Sequence, residues 1–353
     1  MMSAPRLEIN LDKIRDNARI LVERLAIRNI SVTGITKATL GSVDIAEALL
    51  HAGVSALGDS RIENIKRMRR AHDKVQISLI RSPMLSQIEE AVLHSDISNN
   101  TELDVIRALS AASRKLGRVH GVILMVELGD LREGIMPCDM ESMVRETLKF
   151  PNIAFKGIGT NLACRSGVSP DVTNMDELSA MANSLEATFG IVIDIVSGGN
   201  SSNLSWALSG ADTGRINNLR LGEAILLGCD PLYREPIIGL HIDAITLTAE
   251  VIESKIKPSK PRGKIAETAF GATKTIKDNG LIFNTLLAVG EQDIDPNGLS
   301  PPAGSEIIGA SSDHLILNTG GEQLSVGSEV KFTVNYSALL RAMTSPFVSK
   351  VMT

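Results

Sequence analysis

Cysteine is scarce: Cys138, Cys164 and Cys229 are the three in 353 residues. They are odd in number and far apart. They make neither a disulfide framework nor zinc-ligand spacing, so a reducing cytoplasm is the expected compartment. Aromatic residues are scarce too, at 3%, with one Trp and two Tyr. The net charge is −5, and no basic stripe interleaved with aromatics occurs. Nucleic acid is therefore not an expected partner. No apolar run is long enough to span a bilayer, and the opening MMSAPRLEIN has no apolar leader core, so no membrane partner is expected. The six histidines are scattered. No spaced His/Cys/Asp set suggests a metal.

What is present is an ordinary globular composition, 43% hydrophobic and 22% charged. The length suits one large α/β domain of ~250 residues and a smaller one. From Leu11 onward, short β-branched runs alternate with helical patterns. The first helix reads Leu11 to Ala26, with Ile14, Ala18, Leu21 and Leu25 at helical spacing. Eight strand candidates follow, ISVTGITK, VSALGDS, VQISLIRS, DISNN, VHGVILMVELGD, IAFKGIGTNLAC, IVIDIVSGGNSS and INNLRLGEA, most trailed by a helix. Strands alternating with helices imply parallel pairing through right-handed crossovers. Eight such units predict an α/β fold, a TIM (β/α)8 barrel over residues 8–239.

After Gly239 the pattern changes. LHIDAITLTAEVIESKIKPSKPRG alternates strictly, and LIFNTLLAVG, SEIIGASSDHLILNT and SEVKFTVNY follow without a long helix between them. This predicts a C-terminal, mostly-β antiparallel domain over residues 240–353, with residues 1–7 as a strand that can join it.

A TIM barrel keeps its active site at the C-terminal ends of its strands. The first strand ends on Lys37 in VTGITKATLGS. Two readings stand: a solvated lysine at a strand end, or an amine whose burial lowers its pKa so that it can form a Schiff base. The seventh strand ends in Gly198, Gly199, Asn200, Ser201 and Ser202, either an N-capped turn or a phosphate cradle. The eighth ends in Arg220, Leu221, Gly222 and Glu223, where Gly222 either presents its N–H to phosphate or permits a tight turn. Arg132 in ELGDLREG either takes a substrate carboxylate or pairs with Asp130 or Glu133. Tyr336 is either a core tyrosine or a phosphate ligand.

The order of these features, a lysine after strand one, an arginine after strand five, the Ser/Gly/Asn turn after strand seven and an arginine in strand eight, resembles the fold-type III pyridoxal-phosphate (PLP) enzymes. GIGTNLAC, GASSDHLIL and NYSALLRAMTSP are similar to the amino-acid racemases that include ornithine racemase. The resemblance implies PLP as cofactor and racemisation of a free amino acid, a basic one such as ornithine or lysine, by removal and return of the α-proton on an external aldimine. It implies a Schiff base on Lys37, which is also one of the two proton-transfer bases. Arg220 faces the pyridine nitrogen. Ser201, Gly222, the backbone of Glu223 and Tyr336 hold the phosphate, with Asn200 and Ser202 as further donors. Arg132 lies near the substrate carboxylate, and Asn161 lines the pocket. It further implies a head-to-tail homodimer in which each β domain covers its partner's barrel.

The sequence departs from the alanine racemases in two places. KATLGS has Leu40 where they carry tyrosine, and AVGEQDIDPNG lacks the tyrosine that serves them as second base. The candidates left for that role are Asp293, His314 and Asp313, with Ser311 and Ser312 as substrate binders. Glu291, Asp293 and Asp295 form either a solvated acidic loop or a site for a distal ammonium. Rival functions are a PLP-homeostasis protein, a PLP-dependent decarboxylase and a racemase that has lost turnover.

Overall fold

The computed structural model of the chain describes residues 4–267, 270–271 and 277–353. It divides into two compact units, Leu11–His241 and the remainder, Met1–Asn10 with Ile242–Thr353.

Strand β1 (Arg6–Ile9) belongs to the second unit and leads into α1 (Leu11–Ala26) of the first. Eight strands then alternate with helices: β2 (Ser31–Ile35), α2 (Val43–His51), β3 (Ala56–Asp59), α3 (Ile62–Ala71), β4 (Ile77–Leu79), α4 (Ile88–His94), β5 (Ile97–Asn100), α5 (Leu103–Lys115), β6 (His120–Val126), α6 (Met140–Thr147), β7 (Ile153–Thr160), α7 (Val172–Phe189), β8 (Ile195–Gly199), α8 (Leu204–Ala207), β9 (Asn218–Leu221) and α9 (Glu223–Leu227). Strands β2 to β9 pair in sequence, all parallel, and β9 returns to β2 to close the barrel. The expected (β/α)8 architecture is what forms.

The physical reason lies in the strands. A closed parallel sheet wrapped in helices has no solvated face, so its strands read as continuous apolar runs rather than alternating ones. All seven residues of β6 are buried. Inside, Ile97, Ile123 and Met125 pack together with Ile195. Outside, α1 buries Ile14, Ala18, Leu21 and Leu25 and packs against α2 and α9. Its buried Asn17 donates to the carbonyls of Ile225 and His241, each at 2.9 Å, and accepts from the His241 N–H at 2.7 Å. That amide pins the last residue of the unit to its first helix.

The second unit holds β10 (Ile245–Pro258), β11 (Leu281–Leu287), β12 (Leu299–Ser300), β13 (Glu306–Ala310), β14 (Leu315–Asn318), β15 (Glu329–Val334), α10 (Tyr336–Thr344) and β16 (Ser349–Met352). The strand order is β12-β15-β10-β11-β14-β13, antiparallel throughout, and β1 pairs antiparallel with β10. One pair departs from the antiparallel expectation: β1 and β16 run side by side in parallel. They lie far apart in sequence, and a parallel pair needs no hairpin to join it. Among the described residues, no helix is long and apolar enough to cross a membrane.

Candidate active site

Lys37 begins a single tight turn, Lys37–Thr39, directly after β2, and it is half-buried. The turn is held from below. Thr36 donates its hydroxyl to Asp59 Oδ2 at 2.8 Å. The other oxygen of that carboxylate accepts from the Arg61 N–H at 2.9 Å and Asn64 Nδ2 at 3.0 Å. Asp59 is fully buried at the end of β3. Burial pushes its carboxyl up, and these donors pull it back toward the charged form. Residue 37 therefore sits on a braced strand end, not on a free loop. Its ammonium lies within electrostatic reach of Glu223, whose carboxyl is pushed up by burial and lowered by Arg234 and Lys37.

Arg220 lies in β9 at 8% exposure, inside the barrel. It donates to Ser197 Oγ at 2.5 Å and to the Thr160 carbonyl at 2.6 Å, and approaches Asn161 Oδ1 at 3.5 Å. Ser197 in turn donates to Asn218 Oδ1 at 2.7 Å, and Asn218 donates to Thr33 Oγ1 at 3.0 Å. The relay crosses β8, β9 and β2 and fixes the plane of the guanidinium. Burial lowers its pKa to about 10, partly offset by the nearby Glu133 carboxylate. At neutral pH Arg220 is a buried, oriented cation.

The turn after β8 joins this system. Asn200 caps it by accepting the Ser202 N–H at 2.8 Å and donates to Asn161 Oδ1 at 3.1 Å and the Leu162 carbonyl at 2.9 Å. Gly199 has φ of 147°, and a Cβ there would lie 2.1 Å from Asn203 Oδ1, so only glycine fits. Ser201 Oγ accepts from the N–H groups of Gly222 at 3.3 Å and Ala224 at 3.2 Å. The Ser202 hydroxyl is buried and has no hydrogen-bond partner. An orphaned buried hydroxyl is costly unless something fills it. Next to it in the chain is Ser201, whose oxygen accepts the Gly222 and Ala224 N–H groups and whose own hydroxyl proton can still be donated, so the two hydroxyls suit the phosphate of the expected cofactor. The glutamate at 223 does not spoil the site, because Arg234 pairs with its carboxylate.

Arg132 follows β6 and is forked onto Glu133, one of the two partners open to it from the sequence. The surrounding loop is held by its own hydrogen bonds. Glu127 Oε1 accepts the N–H groups of Gly129 at 2.6 Å and Leu131 at 2.9 Å. A Cβ at Gly134 would meet the Glu127 nitrogen at 2.5 Å, so the return strand can approach only through glycine. Asp130 clamps the loop after β7 by accepting the N–H groups of Cys164 at 3.3 Å, Arg165 at 3.0 Å and Ser166 at 3.0 Å. Asn161 bridges outward to Cys164 Sγ at 2.9 Å.

The remaining candidates belong to the second unit. Asp293 is buried and accepts the Ser345 hydroxyl at 2.6 Å. Asp295 caps a turn through the Asn297 N–H at 3.1 Å and accepts the Ser337 hydroxyl at 2.6 Å. His314 sits in the turn between β13 and β14, with Nδ1 2.9 Å from Asp313 Oδ1. Ser311 and Ser312 also direct their hydroxyls at that carboxylate, at 3.4 and 3.1 Å. Tyr336 is the first residue of α10.

Sequence reasoning missed the braces: Asp59 with Asn64 under Lys37, Asn218 behind Ser197, and the carboxylate clamps of Glu127 and Asp130. The signal available was position alone, since Asp59 and Glu127 each close an apolar run.

Residues 9–230 match the family described as alanine racemase, N-terminal domain. An ornithine racemase of Acetoanaerobium sticklandii is 39% identical over 98% of this chain and 99% of its own. A lysine racemase of Thermotoga maritima is 41% identical over 99% of each. Among solved structures, an alanine racemase of Streptomyces coelicolor superposes with a TM-score of 0.76 at 20% identity, over 98% of this chain and 97% of its own. At that identity the superposition speaks for the fold alone.

Proposed function

The chain belongs to the family of the alanine racemase N-terminal domain, and from that premise we propose that it is a PLP-dependent racemase of a free basic amino acid such as ornithine or lysine. The observation that carries the reading is the end-to-end likeness to an ornithine racemase and a lysine racemase, covering both units.

The barrel's own residues support the cofactor. Lys37 is the covalent anchor on a braced turn. Arg220, buried and cationic, is the partner for the ring nitrogen. Ser201, Ser202 and the N–H groups of Gly222 and Glu223 take the phosphate, the Gly222 N–H exchanging its 3.3 Å contact with Ser201 Oγ for it, with Asn200 fixing the turn that carries the serines. Bound there, PLP supplies the electron sink that makes a substrate's α-hydrogen acidic. Arg220 cannot readily give up a proton, which limits how far charge spreads into the ring and so disfavours competing outcomes such as transamination. Arg132 takes the substrate carboxylate, and Lys37 moves the proton at the α-carbon on one face.

Racemisation needs a second acid/base group on the other face. Of the candidates in the second unit, Asp293 has its carboxylate buried against Ser345, whereas His314 is half-buried and hydrogen-bonded to Asp313. His314 is the better proton carrier, and the family likeness carries a homodimer with it. Borohydride reduction of the purified enzyme traps PLP on Lys37, and Lys37→Ala abolishes the adduct. Incubation with L- or D-ornithine in deuterated water gives α-deuterated, optically inactive product. Release of carbon dioxide, or no exchange from any basic amino acid, overturns the reading.

A further inference from the structure

A basic amino acid carries a second positive charge, and a site that selects it needs a carboxylate free to meet that charge. In the acidic loop of the second unit, Glu291 keeps a half-buried carboxylate, but its two neighbours are committed. Asp293 is buried against Ser345, and Asp295 is committed to the Asn297 N–H and Ser337. On the barrel rim most carboxylates are also spoken for. Glu127 and Asp130 cap backbone N–H groups, Asp59 is buried under the Lys37 turn, and Glu223 pairs with Arg234. Glu133 also pairs with an arginine, but its partner is Arg132, the residue that takes the substrate carboxylate in the reading above, and both side chains are partly open to solvent, at 40% for Arg132 and 35% for Glu133 against 17% for Glu223.

We propose that Glu133 is the specificity-determining residue that receives the distal ammonium of the substrate, and that the Arg132–Glu133 pair opens to exchange its mutual contact for the two charged ends of a basic amino acid. The inference rests on the racemase reading above and deepens it. Without substrate, the fork satisfies both side chains. A substrate with a carboxylate at one end and an ammonium at the other offers each of them a new partner of the right sign. A substrate with an apolar side chain can engage Arg132 but strands Glu133 without a cation. Stranding a charged hydrogen-bonding group weakens selection by about ten- to a hundredfold. The selectivity then comes as much from what is rejected as from what is bound.

The test compares ornithine with norvaline, which has the same carbon chain and no distal ammonium, by α-deuterium incorporation in the PLP-loaded enzyme. The wild type is expected to favour ornithine. Glu133→Gln is expected to lower kcat/KM for ornithine at least about tenfold, mainly through KM, and to lower that for norvaline far less. Glu133→Asp keeps the charge and is expected to retain the preference. Both substrates are read on one preparation, so a loss of folded enzyme cancels in the ratio. If Glu133→Gln lowers both substrates equally, Glu133 merely holds Arg132 in place and the proposal is overturned. If the wild type exchanges neither ornithine nor lysine, the functional reading itself fails, a distinguishable result.

Discussion

Arg220 donates to the Ser197 hydroxyl at 2.5 Å, and Ser197 passes the chain of donors on to Asn218 at 2.7 Å. The serine is thus the hinge between a buried cation and the barrel wall. Ser197→Ala removes an acceptor from a guanidinium with little access to water. The expected cost is about 1–3 kcal/mol, measured by urea unfolding. PLP affinity, followed by absorbance titration of the apoenzyme, is expected to weaken in the same variant. An unchanged titration would show that the orientation of Arg220 does not matter to the cofactor.

Thr36→Val keeps the shape of the residue before Lys37 and removes its hydrogen bond to Asp59. The buried carboxylate keeps its donors from Arg61 and Asn64 and loses the third. A destabilisation of about 1–3 kcal/mol is expected, together with slower trapping of PLP on Lys37 by borohydride. Normal trapping at reduced stability would limit the brace to a role in folding.

Asp130→Ala frees the N–H groups of Cys164, Arg165 and Ser166. Hydrogen exchange at residues 164–166 is expected to accelerate, while the buried strand β6 stays protected. Uniform loss of protection would mean that the clamp supports the whole barrel rather than one loop.

His120 opens β6, fully buried, with Nε2 2.8 Å from the Ser98 hydroxyl. Burial lowers its pKa from 6.5 to about 4, so the folded state holds it neutral. The unfolded chain binds the proton first as pH falls. The stabilisation is therefore complete above pH 6.5 and is lost as the pH falls toward 4, an amount of about 3 kcal/mol. The unfolding midpoint of the wild type is expected to drop across that window more steeply than that of His120→Gln. Parallel curves would assign the acid sensitivity to other groups.

The eight barrel strands were legible because each is short, apolar and bounded by a helix, a pattern that local composition records directly. Lys37 and the turn at Ser201 and Ser202 were legible for the same reason, since polar residues closing apolar runs stand out. The partner of Arg132 was open between Asp130 and Glu133. The structure puts Glu133 there because both oxygens of Asp130 are turned to the loop after β7. Asn218 behind Ser197 was not legible, because it depends on the register that sets β8 against β9.

The alternation of strand and helix, the change of pattern near Gly239 and the polar residues closing the apolar runs can all be read along the chain. These follow from local patterning of apolar and polar side chains. Folding alone brings β1 beside β16, leans Arg220 on Ser197, and makes braces of Asp59 and Asp130 while Glu133 meets only an arginine. Those contacts join residues far apart in the chain. Closing the barrel sets strand register and removes water, and only then does a buried charge have to find its partner.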